Sequence, residues 1–228
     1  MELRERVAHA IAETNGRLYD ANYDSEVLTA LDECKELCWE LNQLRPSDRA
    51  GRARIAKELF AHTGEHIGIT APFWCDYGKN ISVGENFYCN HGLVILDGAP
   101  VTFGDNVFIA PNCVFSTAGH PVDTALRNEG LEYALPITVG DNVWFGMGVM
   151  VCPGVTIGSD VVIGAGSVVT RDIPAWSVAA GNPCRVIRAI TEEDRELYFS
   201  GRRADDEALS AMREKWASGD GIMYPAAP

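Results

Sequence analysis

From Ile137 to Val169, apolar side chains return at every sixth residue in two phases. One phase reads Ile137, Val143, Val149, Val155, Val161 and Ser167; the other reads Val139, Phe145, Val151, Ile157, Ile163 and Val169. Only Ser167 is polar, and Gly140, Gly146, Gly158 and Gly164 keep the same beat, with Cys152 the exception. A strand alternates with period two and a helix turns every 3.6 residues, so a period of six needs another geometry. The pattern predicts a β-helix whose coil has three flat faces, one six-residue unit on each, with the recurring apolar residue pointing inward. Glycine on the beat is expected to let the backbone bend where a face ends.

The beat can be followed backwards. Ile81, Phe87 and Leu93 hold one phase, and Val83, Cys89 and Ile95 hold the other. After Asp97-Gly98-Ala99-Pro100 the frame slips by two residues, then resumes with Val101, Val107, Cys113 and with Phe103, Ile109, Phe115. It vanishes between Ser116 and Pro136, a polar interval holding Gly119-His120-Pro121, Asp123, Arg127, Asn128 and Glu129. A solenoid accommodates such an interval as a loop ejected from one corner, and long loops in compact domains usually carry function.

Outside the beat the pattern is helical. Leu3, Val7, Ala10 and Ile11 form one short stripe, and Val27, Leu28, Leu31, Cys34, Leu37, Cys38 and Leu41 form a longer one. A polar link, Leu18 to Asp24, separates them, and a third helix is expected from Arg52 to Phe60. Beyond the beat, Thr191-Glu192-Glu193-Asp194 reads as the capping turn of a helix, with a second helical piece over 205–216 and a loose tail. The expected organisation is a helical segment at 1–62, a β-helix at 63–190 with its loop at 116–136, and a helical extension at 191–228.

Composition narrows the function classes. The net charge of −13 argues against nucleic acid or an anionic membrane as partner, although clustered arginines would still hold an anion. No apolar run is long enough for a membrane span, and the charged N-terminus lacks the apolar stretch of a signal peptide. Seven cysteines without a framework spacing read as reduced thiols, and the expected location is the cytoplasm. The Asn80-Ile81-Ser82 sequon then carries no meaning.

Some chemical signals dissolve on inspection. Cys34 and Cys38, four apart on one helical face, read as small core residues rather than a metal pair. His62-Thr-Gly-Glu65-His66 has the H-x-x-E-H order, but Gly64 and the strand-like Ile67-Gly68-Ile69 deny it the continuous helix that zinc would need. His120 is different. It is the one histidine in the interrupting loop, braced by Gly119 and Pro121, and imidazole suits proton removal at neutral pH. Cys113 falls on the inward beat, so it is expected to be buried and inert, and Ser116 and Thr117 carry no activating signature. Direct attack in a ternary complex is therefore expected over a covalent intermediate.

Taken together, Tyr19-Asp20-Ala21-Asn22, Cys75-Asp76-Tyr77-Gly78, Asn86-Phe87-Tyr88-Cys89-Asn90, Ile95-Leu96-Asp97, Ile109-Ala110-Pro111-Asn112, Gly119-His120-Pro121, Asp141-Asn142-Val143-Trp144, Gly164 to Thr170, and Ala180-Gly181-Asn182-Pro183 with Arg185 to Arg188 resemble the hexapeptide-repeat acyltransferases. The maltose and galactoside O-acetyltransferases are most similar, and the resemblance spans about residues 15–190. It implies a left-handed parallel β-helix, a homotrimer with active sites between subunits, acetyl-CoA as donor, no required metal, and His120 as base. It points to Asp20, Asp76, Tyr88, Asn90 and Glu132 for the acceptor, with His91 beside Asn90. It implies contacts to coenzyme A from Trp144, Ala165, Thr170, Arg171, Arg185 and Arg188, and by position an oxyanion donor in the amide of Met147, where the family often has a small polar residue. Arg171 stands where lysine is common. Gly98 stands where galactoside-type members carry a second acidic residue, as in the maltose type.

The function this implies is transfer of an acetyl group to a hydroxyl of a sugar-like acceptor. Within the same chemistry, a hydroxylated antibiotic or an amino sugar is an alternative acceptor. A metal hydratase on the same fold would need three histidines on zinc, and only His91 and His120 lie in the coil region. A non-catalytic trimerising module remains the alternative of a different class, against which His120 and the arginines speak.

Overall fold

The computed structural model describes residues 2–198, 201–203, 205, 207, 209–211 and 214. In it, all twelve beat positions between Ile137 and Val169 are buried, none more than 2% exposed. Successive strands turn through three parallel sheets, giving the expected parallel β-helix. The first face stacks Ile67–Ile69, Phe87–Cys89, Phe108–Ile109, Trp144–Phe145, Val161–Ile163 and Ser177–Ala180. The second stacks Phe73–Cys75, Leu93–Leu96, Val114–Ser116, Met150–Val151 and Val168–Val169. The third stacks Ile81–Val83, Val101–Phe103, Ile137–Val139 and Thr156–Ile157. Inside the coil, Phe87, Phe103, Phe115 and Phe145 form a column with ring centroids 5.3, 5.0 and 5.0 Å apart, the last two pairs edge to face. The polar exception, Ser167, is satisfied in place: its hydroxyl donates to the Gly164 carbonyl and accepts from the Gly181 N–H.

The corner between the third and first faces corrects the expected role of glycine. Asn86, Asn106, Asn142 and Asp160 make the turn, with φ of 56°, 56°, 57° and 57°. The preceding glycines matter for closeness instead: a Cβ on Gly104 would lie 2.8 Å from the Gly140 carbonyl carbon in the next coil. The turn residues also form a ladder. The Asn86 amide donates to Asn106 at 3.0 Å, Asn106 to Asn142 at 3.1 Å, and Asn142 to the Asp160 carboxylate at 3.0 Å.

The chain divides into two compact units, residues 1–187 and 188–228. In the first, α1 (Leu3–Ala12), α2 (Ser25–Gln43) and α3 (Arg49–Leu59) precede the coil, as the apolar stripes predict. The Asp24 carboxylate caps α2 by accepting from the N–H groups of Glu26 and Val27, and Asp48 caps α3 by accepting from Gly51. The segment 62–66 lies beyond α3; its N–H groups at Glu65 and His66 donate to the Glu85 carboxylate, which also meets the His66 ring.

The second unit departs from expectation. Thr191 and Asp194 do form a capping box, but they cap a single 3-10 turn, Glu192–Arg195. A short antiparallel pair, Leu197–Tyr198 with Arg202–Arg203, takes the place of a continuing helix. Gly201, at φ 74°, occupies a conformation no helix interior uses. Glu207, Leu209, Ser210, Ala211 and Glu214 are helical; the rest of the predicted 205–216 helix, apart from Asp205, lies outside the described residues, as does the tail.

One corner of the coil differs from the others. Between the second and third faces, residues 76–80 and 97–100 make longer crossings, and the interval 116–136 leaves from the same corner. The three are braced together. The fully buried Asp97 carboxylate accepts from the N–H groups of Asp76 and Tyr77 at 3.0 Å and of Asn80 at 3.3 Å. The buried Thr117 hydroxyl donates to the Leu96 carbonyl at 2.7 Å and accepts from the Ala99 N–H at 3.0 Å. Burial pushes the Asp97 carboxyl up to about 6, against the pull of those N–H donors. The folded state thus holds this proton at pH values where the unfolded chain has lost it, so the contribution of Asp97 to stability falls as pH rises from about 4 to about 6 and is level above that. The melting temperature of an Asp97→Asn variant, compared with the parent across this window, is expected to lack that decline, which is worth roughly 3 kcal/mol at most. Parallel curves for the two proteins would contradict the assignment.

Candidate functional site

The loop at 116–136 is organised by a small sheet. Ala118–Gly119 pairs antiparallel with Leu131–Ala134, which pairs on its other edge with Tyr19–Asp20 from the link between α1 and α2. A helix, α4 (Thr124–Asn128), spans the loop tip with Asp123 as its cap. This register sets Tyr19 opposite Glu132 and delivers His120 next to the same strand. A Cβ on Gly119 would sit 2.5 Å from the end of the Tyr133 ring, so a larger residue before the histidine would need that ring to move.

His120 is anchored through one ring nitrogen, and in its neutral form this selects a tautomer. Its Nδ1 lies 2.9 Å from the Leu131 carbonyl, which can only accept, so Nδ1 carries the proton and Nε2 presents a lone pair. Nε2 is 3.5 Å from Glu132 Oε2, while the other Glu132 oxygen accepts a hydrogen bond from the Tyr19 hydroxyl. Burial, then the Glu132 carboxylate, hold the Tyr19 phenol far above its ordinary value, so it remains a donor. The result is an oriented imidazole, partly open to solvent, facing a carboxylate.

Asp76 joins this group. Burial pushes its carboxyl up to about 7, and the charges of Asp97 and Glu132 add to the effect against the pull of Lys35. Near neutrality it can donate as well as accept a hydrogen bond. Tyr19 itself is a site residue that the sequence reading passed over; its signal is the two-residue strand, which only the pairing with Leu131–Ala134 reveals. Asp20 sits on the same strand, where its carboxylate accepts from the N–H groups of Asn22 at 3.2 Å and Tyr23 at 2.8 Å, bracing the turn.

The remaining expected residues lie elsewhere on the coil. Tyr88 and Trp144 point outward on the first face, in register with Phe108 between them. The Tyr88 and Phe108 rings are 6.3 Å apart. Asn90, Met147 and Ala165 occupy the corner between the first and second faces. The Asn90 side chain accepts from the His91 N–H at 2.8 Å, and the His91 Nδ1 meets the Ala71 carbonyl at 2.9 Å. Met147 is 64% exposed; its carbonyl accepts from Gly166, and among the described residues its N–H donates to nothing. The first face is opposite the corner that carries His120, so one chain does not bring Tyr88, Asn90, Trp144 or Met147 to the imidazole.

Thr170 and Arg171 are exposed on the His120 corner, farther along the coil, and Arg185 is exposed with one guanidinium N–H on the Cys184 carbonyl. Arg188 behaves differently from the expected phosphate ligand: its guanidinium is engaged by both oxygens of Asp194, at 2.8 and 2.7 Å.

Comparisons with known proteins agree with this architecture. Residues 14–64 match the maltose acetyltransferase hexapeptide capping motif, and residues 136–171 match the bacterial transferase hexapeptide of six repeats. The chain is 50% identical over 171 residues to galactoside O-acetyltransferase of Escherichia coli K12, covering 75% of this chain and 84% of that one. A maltose O-acetyltransferase from Clostridium difficile 630 superposes with a TM-score of 0.78 at 46% identity, over 82% of this chain and 98% of that one. A galactoside acetyltransferase in complex with coenzyme A superposes with a TM-score of 0.80 at 44% identity, over 90% of this chain and all of that one. With its six-residue beat, its capping helices and its ejected histidine loop, the chain belongs to the hexapeptide-repeat acyltransferases of the maltose and galactoside O-acetyltransferase type.

Proposed function

We infer that the protein moves an acetyl group from acetyl-CoA to a hydroxyl of a sugar-like acceptor, in a ternary complex without a covalent enzyme intermediate. The observation that carries this is the contact of His120 Nδ1 with the Leu131 carbonyl at 2.9 Å, which in the neutral ring leaves the Nε2 lone pair for a substrate proton. In the reaction Nε2 takes the hydroxyl proton as the alkoxide oxygen bonds to the thioester carbonyl. Glu132 offsets the charge left on the ring, and the carbonyl oxygen, now negative, is received by the Met147 N–H. Collapse expels the coenzyme A thiolate, which recovers the proton. Cys113 is fully buried, with its thiol turned to the Gly146 carbonyl, so it does not compete as nucleophile.

Asp20, Asp76 and, from a neighbouring copy, Tyr88 and Asn90 surround the acceptor. Trp144, Ala165, Thr170, Arg171 and Arg185 line the path of coenzyme A, which is bound by the related galactoside acetyltransferase. Gly98 supports an acceptor of the maltose type; a Cβ there would lie 3.1 Å from the Tyr19 hydroxyl, so a larger residue would need that side chain to shift.

The active unit is a trimer with each site shared by two copies. Two features support it: the opposed positions of His120 and Trp144 on one coil, and the outward rows of the faces. The first face presents Tyr88, Phe108, Trp144, Val162 and Val178, and the second presents Trp74, Val94, Val114, Met150 and Val168. The third presents only Ser82, Thr102, Thr138 and Thr156. Apolar rows left exposed on two faces fit contact with other copies. Among the described residues no helix is long and apolar enough to cross a membrane.

Three outcomes are expected. His120→Ala keeps coenzyme A binding by calorimetry but loses roughly 10²–10⁴ in transfer rate, measured as thiol release in the presence of maltose or glucose; full activity in this variant would exclude the base. Glu132→Gln, which removes a charge-assisted partner, lowers kcat by about 10- to 100-fold with little change in KM. Phe108→Glu puts a charge into the apolar row, so sedimentation is expected to show single copies and the assay no transfer; an active monomer would overturn the shared site, and an inactive trimer that binds coenzyme A would favour the non-catalytic reading.

A further inference from the structure

Three sulfur atoms meet where α2 packs on the buried side of the strand Phe73–Cys75 in the first turn of the coil, and nothing in the acetyl-transfer scheme uses them. Cys34 and Cys38 stand one helical turn apart on the buried side of α2, and Cys75 ends the strand Phe73–Cys75. The Cys75 sulfur is 3.5 Å from that of Cys34 and 3.7 Å from that of Cys38, and all three lie within 4.8 Å of one another. All three side chains are buried. Thiolates sharing one ion at a metal–sulfur distance of about 2.3 Å stand roughly 3.8–4.0 Å apart, whether the ion is tetrahedral or trigonal. The sulfurs therefore occupy the spacing of a ligand set with little movement.

A second observation separates the cluster from ordinary packing. Arg4, on α1, is 3% exposed, an unusual burial for a guanidinium. Its Nη2 donates to the Glu58 carbonyl at 3.2 Å, but its Nη1 is buried and has no partner among the described residues. α1 packs on α2, the helix that carries Cys34 and Cys38. Three neutral thiols give a buried, partly unsatisfied cation nothing to balance, whereas thiolates would.

We propose that Cys34, Cys38 and Cys75 form a site for a soft, thiophilic d10 cation, with Arg4 as its internal counter-charge. Soft thiolates select such ions over magnesium or calcium. Each sulfur that ligates releases its proton to solvent as the metal–sulfur bond forms, so binding needs no oxidant or reductant. With a divalent ion, three thiolates and Arg4 sum to no net charge. The site joins α2 to the strand that continues into Asp76, so its role is to fasten the helical cap to the coil.

The test uses the full-length protein freed of metal under reducing conditions, titrated separately with cadmium(II) alone and copper(I) alone. The expected result is one tightly bound equivalent with an ultraviolet thiolate-to-metal charge-transfer band, a native mass equal to the protein plus the ion less the displaced protons, and a higher melting temperature. Cys38→Ser and Cys75→Ser are expected to lose the band, while Cys152→Ser, which alters a cysteine outside the cluster, keeps it. Absence of a band with both ions in the parent protein would overturn the proposal, as would a band that survives in both Cys38→Ser and Cys75→Ser. Should those variants fail to fold, mass spectrometry of the parent decides: a bound ion with fewer than two protons displaced counts against the site.

Discussion

The governing constraint is that the coil is one side chain thick. Each short strand sends its alternate residues inward to a common axis, and neighbouring coils are stacked at backbone hydrogen-bond distance. Every inward position must then be apolar or satisfied on the spot, as Ser167 is by Gly164 and Gly181. Nothing that binds a polar substrate can live inside. Chemistry has to be exported, either onto the outer faces or out through a corner. Corners tolerate export because extra residues there leave the register of the next strand unchanged. Here the longer crossings all fall at one corner, and Asp97 and Thr117 turn three successive departures into one braced platform.

Concentrating the loop at one corner has a geometric consequence. The His120 imidazole emerges on one side of the coil, while the exposed aromatic row and the Met147 amide lie on the side away from it. A single coil cannot fold back on itself to close that distance, since its ladder fixes it as a rod. The proposed trimer would close it through a second copy, because a head-to-side contact repeated around an axis puts the corner of one coil against the face of the next in every copy. The division of outer rows, apolar on two faces and hydroxyl-bearing on the third, is what such packing demands of the sequence.

Much of this architecture is legible in the residue pattern because the interior obeys a single rule. The two phases of the beat identify the inward residues directly, and the slip at Asp97–Pro100 and the gap at 116–136 mark the exporting corner. Turn chemistry is less legible. The glycines draw the eye, yet the left-handed turn belongs to Asn86, Asn106, Asn142 and Asp160, and the glycines serve coil-to-coil approach. That distinction depends on neighbours a full coil away. The part of Tyr19 is hidden for the same reason, since its meeting with Glu132 is a long-range strand pairing. At the other end, the capping signal at Thr191 is real, but a cap only starts a helix; it does not say how far one runs, and Gly201 does.

Glu132 shows how the position of a residue in the fold redefines the work expected of its type. As a carboxylate near an acceptor it would simply take hydrogen bonds from sugar hydroxyls. Standing between the Tyr19 hydroxyl and the His120 Nε2, it does something more specific. The phenol, kept protonated chiefly by burial, donates to one oxygen. The second oxygen faces His120 Nε2, so in the proposed reaction a negative charge would already be in place when the proton arrives. Asp76, with its proton retained up to about pH 7, avoids crowding a further negative charge into the same corner near neutrality. The gap of 3.5 Å between Nε2 and the carboxylate is too long for a strong hydrogen bond. In the proposed reaction a substrate hydroxyl donating to Nε2 would therefore have little to displace, while the carboxylate stays close.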